Sequence, residues 1–226
     1  MAKICFINGS PKTGESCSLY LIDYIWRGLQ NTFKEKLIIN ALELLNKPNK
    51  HDLFENILSC KLIVIVFPLY VDSLPSSLLE ALVNLEAYKK QHAINDSNPL
   101  ALYALANCGF IEGHQNKNAL SILENYCLAT GFKWCGGIGL GGGEMIRSTK
   151  DQIPLNSKVA RPVYDALCLL INSIKELDSL PYDKKIIFGN YKFPKWFFIL
   201  MGNKFWLVLA KKNNVTKKLM YARIAK

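Results

Sequence analysis

The sequence predicts an α/β protein built on a doubly wound parallel sheet, and three observations carry that prediction. Short apolar runs alternate five times with segments of helical periodicity along residues 3–177. The runs are apolar throughout, as strands covered by helices on both faces must be. The first run passes through Gly9-Ser10-Pro11-Lys12 into an amphipathic helix, a strand–turn–helix unit with right-handed crossover geometry.

Taken in order, Ile4-Cys5-Phe6-Ile7 forms the centre of a strand near 3–8. Leu19, Ile22, Trp26 and Leu29 then recur three or four residues apart and mark a helix near 16–31. A strand near 36–42 and a helix near 50–58 follow, then the strand Leu62-Ile63-Val64-Ile65-Val66-Phe67. Pro75 precedes a helix near 76–89, and residues 99–106 form a strand followed by a helix near 117–130. The stretch KWCGGIGL forms the fifth strand, and a last helix runs near 157–177. Ligands of such sheets bind outside the carboxyl ends of the strands.

Composition narrows the function classes. Half of the 226 residues are hydrophobic and mean hydropathy is slightly positive, so a large core is expected and wholesale disorder is not. The seven cysteines are scattered singly, without C-x-x-C or cluster spacing, which disfavours zinc, iron–sulfur and disulfide frameworks. Met1-Ala2-Lys3 leads straight into the first strand with no apolar leader, so the expected location is the cytoplasm. The formal net charge of +10 is uneven: eleven of the 28 Lys and Arg lie in residues 184–226, which contain no Asp or Glu, leaving 17 basic against 18 acidic side chains before them. The basic character belongs to the tail, so no nucleic-acid partner is expected for the body.

Three loops at strand ends carry candidate chemistry. The first offers hydroxyls at Ser10, Ser16 and Ser18, a cation at Lys12 and the N-terminal amides of the next helix, a donor set for an anion. It lacks the Gly-Lys-Ser/Thr of a Walker loop, so a monophosphate suits it better than a triphosphate. An ordinary Ser-rich helix cap is the alternative. In the second, Pro68 and Pro75 stiffen a stretch that presents Leu69, Tyr70 and Val71, a surface fit for a flat ring; packing of Tyr70 on the body is the alternative. The third is Asn107-Cys108-Gly109-Phe110, with His114 beyond it, read as a solvated side chain. In a strand order 2-1-3-4-5 these three loops meet at one crevice. Gly137-x-Gly139-x-x-Gly142 fits a dinucleotide pattern but sits at the fifth strand with no clear helix after it, and is read as a flexible edge loop.

INGSPK, FPLYVDSLPSSLLEAL, and ANCGFIEGHQN followed by GGIGLGGGEMI resemble, in order and spacing over roughly residues 3–178, the flavodoxin-like NAD(P)H-dependent FMN reductases. The likeness is to the clostridial type related to iron–sulfur flavoproteins. It implies a flavodoxin-like five-stranded parallel sheet in order 2-1-3-4-5, an FMN-binding domain over 1–180 and a basic, aromatic helical extension over 181–226. It further implies that Ser10, Lys12, Ser16, Cys17 and Ser18 hold the FMN phosphate. Pro68, Leu69, Tyr70, Val71, Asp72 and Ser73 would flank the ring, and Asn107, Cys108, Gly109 and Phe110 would lie near its edge. NADH or NADPH is the implied co-substrate, with electrons passed on to a quinone, nitro compound, flavin or protein acceptor, and the implied assembly is a dimer. Hydride transfer of this kind rests on positioning, so no catalytic acid or base is assigned. A flavodoxin-like electron carrier without nicotinamide activity is the alternative. Two departures stand out: Ser16-Cys17 replaces the frequent Asn-Thr, putting a thiol where relatives have a hydroxyl, and the cluster cysteines and any metal site are missing.

The tail holds two apolar runs, Trp196 to Met201 and Phe205 to Ala210, separated by Gly202-Asn203-Lys204. Neither approaches the roughly 20 residues of a membrane span. A cap or dimer element, a peripheral helix on an anionic membrane, and a polyanion-binding segment all remain open for it.

Overall fold

In a computed structural model, which describes residues 3–46, 50–92, 99–177 and 185–222, the apolar runs become six strands of one sheet. They are β1 (Lys3–Asn8), β2 (Glu35–Asn40), β3 (Leu62–Pro68), β4 (Ala101–Asn107), β5 (Lys133–Leu140) and β6 (Ile186–Gly189). Their order is β2-β1-β3-β4-β5-β6 and every pairing is parallel. The doubly wound order predicted for strands 1 to 5 is therefore present, and the sheet is one strand wider than the five expected. The short Ile-Ile-Phe run of β6 escapes a periodicity reading because it is only four residues long and follows two lysines.

Successive strand residues point to opposite faces. Cys5, Ile7, Ile63, Ile65, Phe67, Leu102 and Ala104 belong to one cluster with side chains of α2 (Ala41–Asn46), α3 (Lys50–Leu58), α4 (Ser76–Gln91) and α5 (Lys117–Thr130). On the other face, Ile4, Phe6, Val64, Val66 and Leu105 are buried in the layer of α1 (Cys17–Leu29) and α7 (Arg161–Lys175), the two helices that also pack on each other. Gly28 makes that crossing close: a Cβ there would come within 2.9 Å of Ile171. The buried stripe of α1 is Leu21, Ile22, Ile25 and Leu29, while Leu19 and Trp26, counted towards it from spacing alone, lie half-buried at its rim.

Helices α3 and α5 have the predicted bounds, and the others differ by a few residues. Two short helices were not anticipated. One is α2, which follows β2 directly, with Asn40 Oδ1 accepting from Leu42 N at 2.9 Å at its start. The other is α6 (Gly143–Ser148), which corrects the reading of the glycine pattern as a flexible edge loop. Gly137 and Gly139 lie within β5, and Gly142 adopts φ 69° to start α6. The glycines are there for close backbone approach: a Cβ on Gly141 would lie 2.0 Å from the Ile111 carbonyl oxygen, and one on Gly139 2.7 Å from that of Gly113.

Two compact units result, residues 1–191 and 192–226. The expected boundary at 180–181 lies outside the described residues, and β6 puts 186–189, assigned to the extension from sequence, into the sheet. The second unit consists of α8 (Lys195–Lys212), a turn with Asn214 at φ 57°, and α9 (Lys217–Met220), whose first turn is capped by the Thr216 hydroxyl accepting from Leu219 N at 3.3 Å. Among the described residues no helix is long and apolar enough to cross a membrane.

Candidate functional site

The carboxyl ends of β1, β3 and β4 border a cleft of about 180 Å³. It is lined by Ser10, Lys12, Ser16, Cys17 and Ser18 from the first loop, Pro68, Leu69 and Tyr70 from the second, Asn107, Cys108 and Gly109 from the third, and Glu144 from α6. Eleven of the fifteen residues expected from sequence thus come together.

The first loop is shaped by its own polar groups. Asn8 Oδ1 accepts from Ser10 N at 3.1 Å, and Ser10 Oγ accepts from Lys12 N at 3.3 Å. Asn40 at the end of β2 donates to the Ser10 carbonyl at 3.3 Å and steadies the turn from the side. Ser16 is the N-cap of α1, its Oγ accepting from Leu19 N at 3.1 Å. Ser18 Oγ accepts from Asn107 Nδ2 at 3.2 Å. Each of the three hydroxyl oxygens thus accepts from an N–H, and the role left for its proton is donation. The Cys17 and Ser18 amides open α1, where backbone N–H groups have no intrahelical acceptor and the helix dipole is positive. The arrangement presents neutral donors of the kind that cradle an anion.

Cys17 serves it structurally. Its thiol is buried and donates to the Gly143 carbonyl at 2.8 Å, tying α1 to α6. Burial, reinforced by the nearby Glu144 carboxylate, pushes its pKa from 9.0 up to about 12, so it is a neutral thiol. Asn107 is the polar pivot: buried, it donates to Ser18 Oγ and to the Phe67 carbonyl at 2.9 Å, while its own carbonyl accepts from Leu69 N at 2.7 Å. One side chain and its backbone therefore set the spacing of all three loops. Cys108, its thiol pKa raised by burial, accepts from Asn116 Nδ2 at 3.4 Å, and its carbonyl accepts from Gly143 N at 2.7 Å.

Four expected residues fall elsewhere. Val71 and Asp72 form the tip of a two-residue hairpin closed by reciprocal 3.0 Å bonds between Tyr70 and Ser73. Both have left-handed backbones, φ 49° and 58°, a costly state for a β-branched residue. The turn aims Val71 into solvent at 99% exposure and carries Asp72 and Ser73 off the cleft lining. Phe110 is likewise exposed, one residue beyond the lining. His114 is exposed, as read from the sequence.

Glu144 was missed. Its carboxylate lies 3.9 Å from Lys12 Nζ and 2.7 Å from Arg147, which also holds Glu15 at 3.1 Å. The mouth of the anion cradle is therefore close to neutral, with Lys12 already facing a carboxylate. The signal was the glycine run at the end of β5, a strand-end position in a fold that binds ligands at strand ends. Among the described residues no cluster of His, Cys, Asp or Glu is arranged to hold a metal ion.

No protein-family model matches the chain, and a search of curated proteins finds no relative. Solved structures do match it, and they identify the fold as flavodoxin-like. An apo NADH:FMN oxidoreductase superposes with a TM-score of 0.56 at 17% identity, covering 80% of this chain and 92% of the other. The NAD(P)H:quinone oxidoreductase of Methanothermobacter marburgensis gives 0.55 at 13%, covering 80% and 98%. An FMN-dependent NADH-azoreductase from Bacillus anthracis strain Ames Ancestor, solved with FMN, gives 0.52 at 14%, covering 77% and all of that chain.

Proposed function

We propose that this protein is an FMN-dependent oxidoreductase that takes hydride from NADH or NADPH and delivers electrons to a small-molecule acceptor such as a quinone, a nitro compound or a free flavin. The observation that carries the reading is the convergence of an anion cradle and an apolar-aromatic ledge in one cleft at the strand ends. Solved proteins of the same fold with these activities support it.

The residues fit FMN in kind. The hydroxyls of Ser10, Ser16 and Ser18, the first amides of α1 and Lys12 match a phosphate monoester. Pro68, Leu69 and Tyr70 offer a flat apolar edge to the ring, and the backbone at Asn107–Gly109 offers polar groups to its rim. When bound, FMN supplies the two-electron chemistry that no side chain here provides. The protein's own part is to bind and orient. The cradle anchors the phosphate, and the Asn107 bonds keep the ledge at a fixed distance from it. The cleft is smaller than the roughly 300 Å³ and more of pockets that engulf a ligand. This supports a ring seated with one face towards solvent, where nicotinamide and acceptor could take turns. Cys17, neutral and engaged with Gly143, holds α6 in place and takes no part in proton transfer. Glu144 releases Lys12 when a phosphate arrives.

The test is the absorbance spectrum of the purified protein after FMN addition and desalting, followed by NADH and NADPH oxidation with a quinone acceptor. One retained flavin per chain and turnover with either nucleotide are expected. A protein that stays colourless would overturn the reading. Retained flavin without nicotinamide oxidation would instead identify an electron carrier.

A further inference from the structure

We infer that α8 and the basic segment after it dock the protein on an anionic phospholipid surface. The residues involved lie outside the flavin cleft. α8 has 18 residues, about 27 Å of helix, and none of its side chains is buried, although Trp196, Ile199, Leu200, Phe205, Trp206 and Val208 are among them. Among the described residues of its own unit the only other helix is the four-residue α9, too short to cover this surface. So large an exposed apolar surface marks an interaction site.

The arrangement says what covers it. Lys204 and Lys211 are seven residues apart and so share one line along the helix. Opposite that line fall Phe198, Ile199, Phe205, Trp206 and Leu209, with Lys195 among them in the first turn. The remaining apolar residues spread round the rest of the helix, with Phe197 and Val208 beside the lysine line, so a single flat protein contact would leave half of them wet, whereas immersion among the headgroups covers more of them. The lysines reach outward from such a position on apolar stems, and the two tryptophans are at home at the headgroup boundary.

Charge selects the lipid. Residues 184–226 carry eleven Lys or Arg and no acidic side chain, so anionic headgroups complement the segment at every point. A second copy of the same unit would set like charges against like. Nucleic acid would satisfy the lysines but leave Ile199, Leu200, Leu207 and Val208 without apolar contact. The helix carries Lys204 at its centre, and the association is peripheral.

The experiment is co-sedimentation of the full-length protein with vesicles of phosphatidylcholine, with and without about one-third phosphatidylglycerol, at low and high salt. Binding is expected to the anionic vesicles at low salt, weakening as salt rises. Lys204→Gln with Lys211→Gln should weaken it roughly 25-fold, from about fivefold per basic residue at an anionic surface. Phe205→Ser with Trp206→Ser should weaken it more than tenfold through lost apolar burial. Circular dichroism and the melting of the body should be unchanged in both variants, which keeps folding out of the result. Absence of binding to anionic vesicles at low salt overturns the inference. So does binding that survives Phe205→Ser/Trp206→Ser intact and is abolished by duplex DNA, because charge alone then explains it. A dimer in sedimentation velocity that the same pair of serines splits, without vesicle binding, would assign the helix to a second copy instead.

Discussion

The body and the C-terminal unit are both rich in apolar residues, and they treat them in opposite ways. In residues 3–191 each apolar run has a period that matches its element, so the central strands β1, β3, β4 and β5 bury both faces and α1, α4, α5 and α7 bury one. At the cleft the buried polar groups are paired, with Asn107 and Ser18 as the clearest case. In α8 the apolar residues spread around the helix, no side chain is buried, and every charge is positive. The difference teaches that hydrophobic content does not make a core. Burial needs a surface to bury against, and among the described residues of its own unit α8 has only the short α9.

The widest gap should appear between two leucines. Leu21 is fully buried in α1 and Leu207 is 45% exposed in α8. Leu21→Ala should cost about 2–5 kcal/mol of unfolding free energy, and Leu207→Ala less than about 0.5 kcal/mol, both read from urea titrations. Equal losses would mean that α8 is part of the body's core, and the contrast would fail.

Asn107→Leu probes the polar side of the body. The Phe67 carbonyl would lose its donor and Ser18 Oγ its partner in a buried setting, for a loss of about 2–6 kcal/mol at about 1–3 kcal/mol per unsatisfied group. Flavin retention after desalting should drop more than tenfold, since the three loops lose their common spacer. Unchanged retention would show that the cleft does not depend on Asn107.

Cys17 sharpens the comparison through pH. The folded protein holds the Cys17 proton more tightly than the unfolded chain does, with a pKa of about 12 against 9.0. Its contribution is therefore fully present below about pH 9 and is lost as pH rises towards 12, at about 1.4 kcal/mol per pH unit. Cys17→Ser should remove that slope, so its stability loss between about pH 8 and pH 10.5 should be smaller than that of the parent by about 2 kcal/mol. Parallel curves would show that the thiol is not buried as described.

The smallest effect concerns the mouth of the cleft. Glu144 is half-exposed and faces Lys12 at 3.9 Å. Glu144→Gln should free Lys12 for an anion and tighten FMN binding two- to fivefold, in keeping with 1 kcal/mol or less for an exposed pair. Isothermal titration reads it, and weaker binding would assign Glu144 to ligand contact instead.

The alternation of runs and helices and most of the cleft lining were legible in the sequence, because each depends on local periodicity and on which residues follow a strand end, whereas the strand order came only with the family resemblance. Ser10, Ser16 and Ser18 could be nominated from one loop, for the same reason. What the tertiary structure alone decided is non-local. Glu144 reaches the cleft because the glycines of β5 let the chain turn tightly against the loop after β4. Cys17 turns to a carbonyl 126 residues away. Val71 leaves the ledge because its hairpin is left-handed, and β6 joins the sheet because β5 offered it a free edge. Local sequence determines the period of each segment; which carbonyl, carboxylate or strand edge lies opposite a side chain is settled only when distant segments pack.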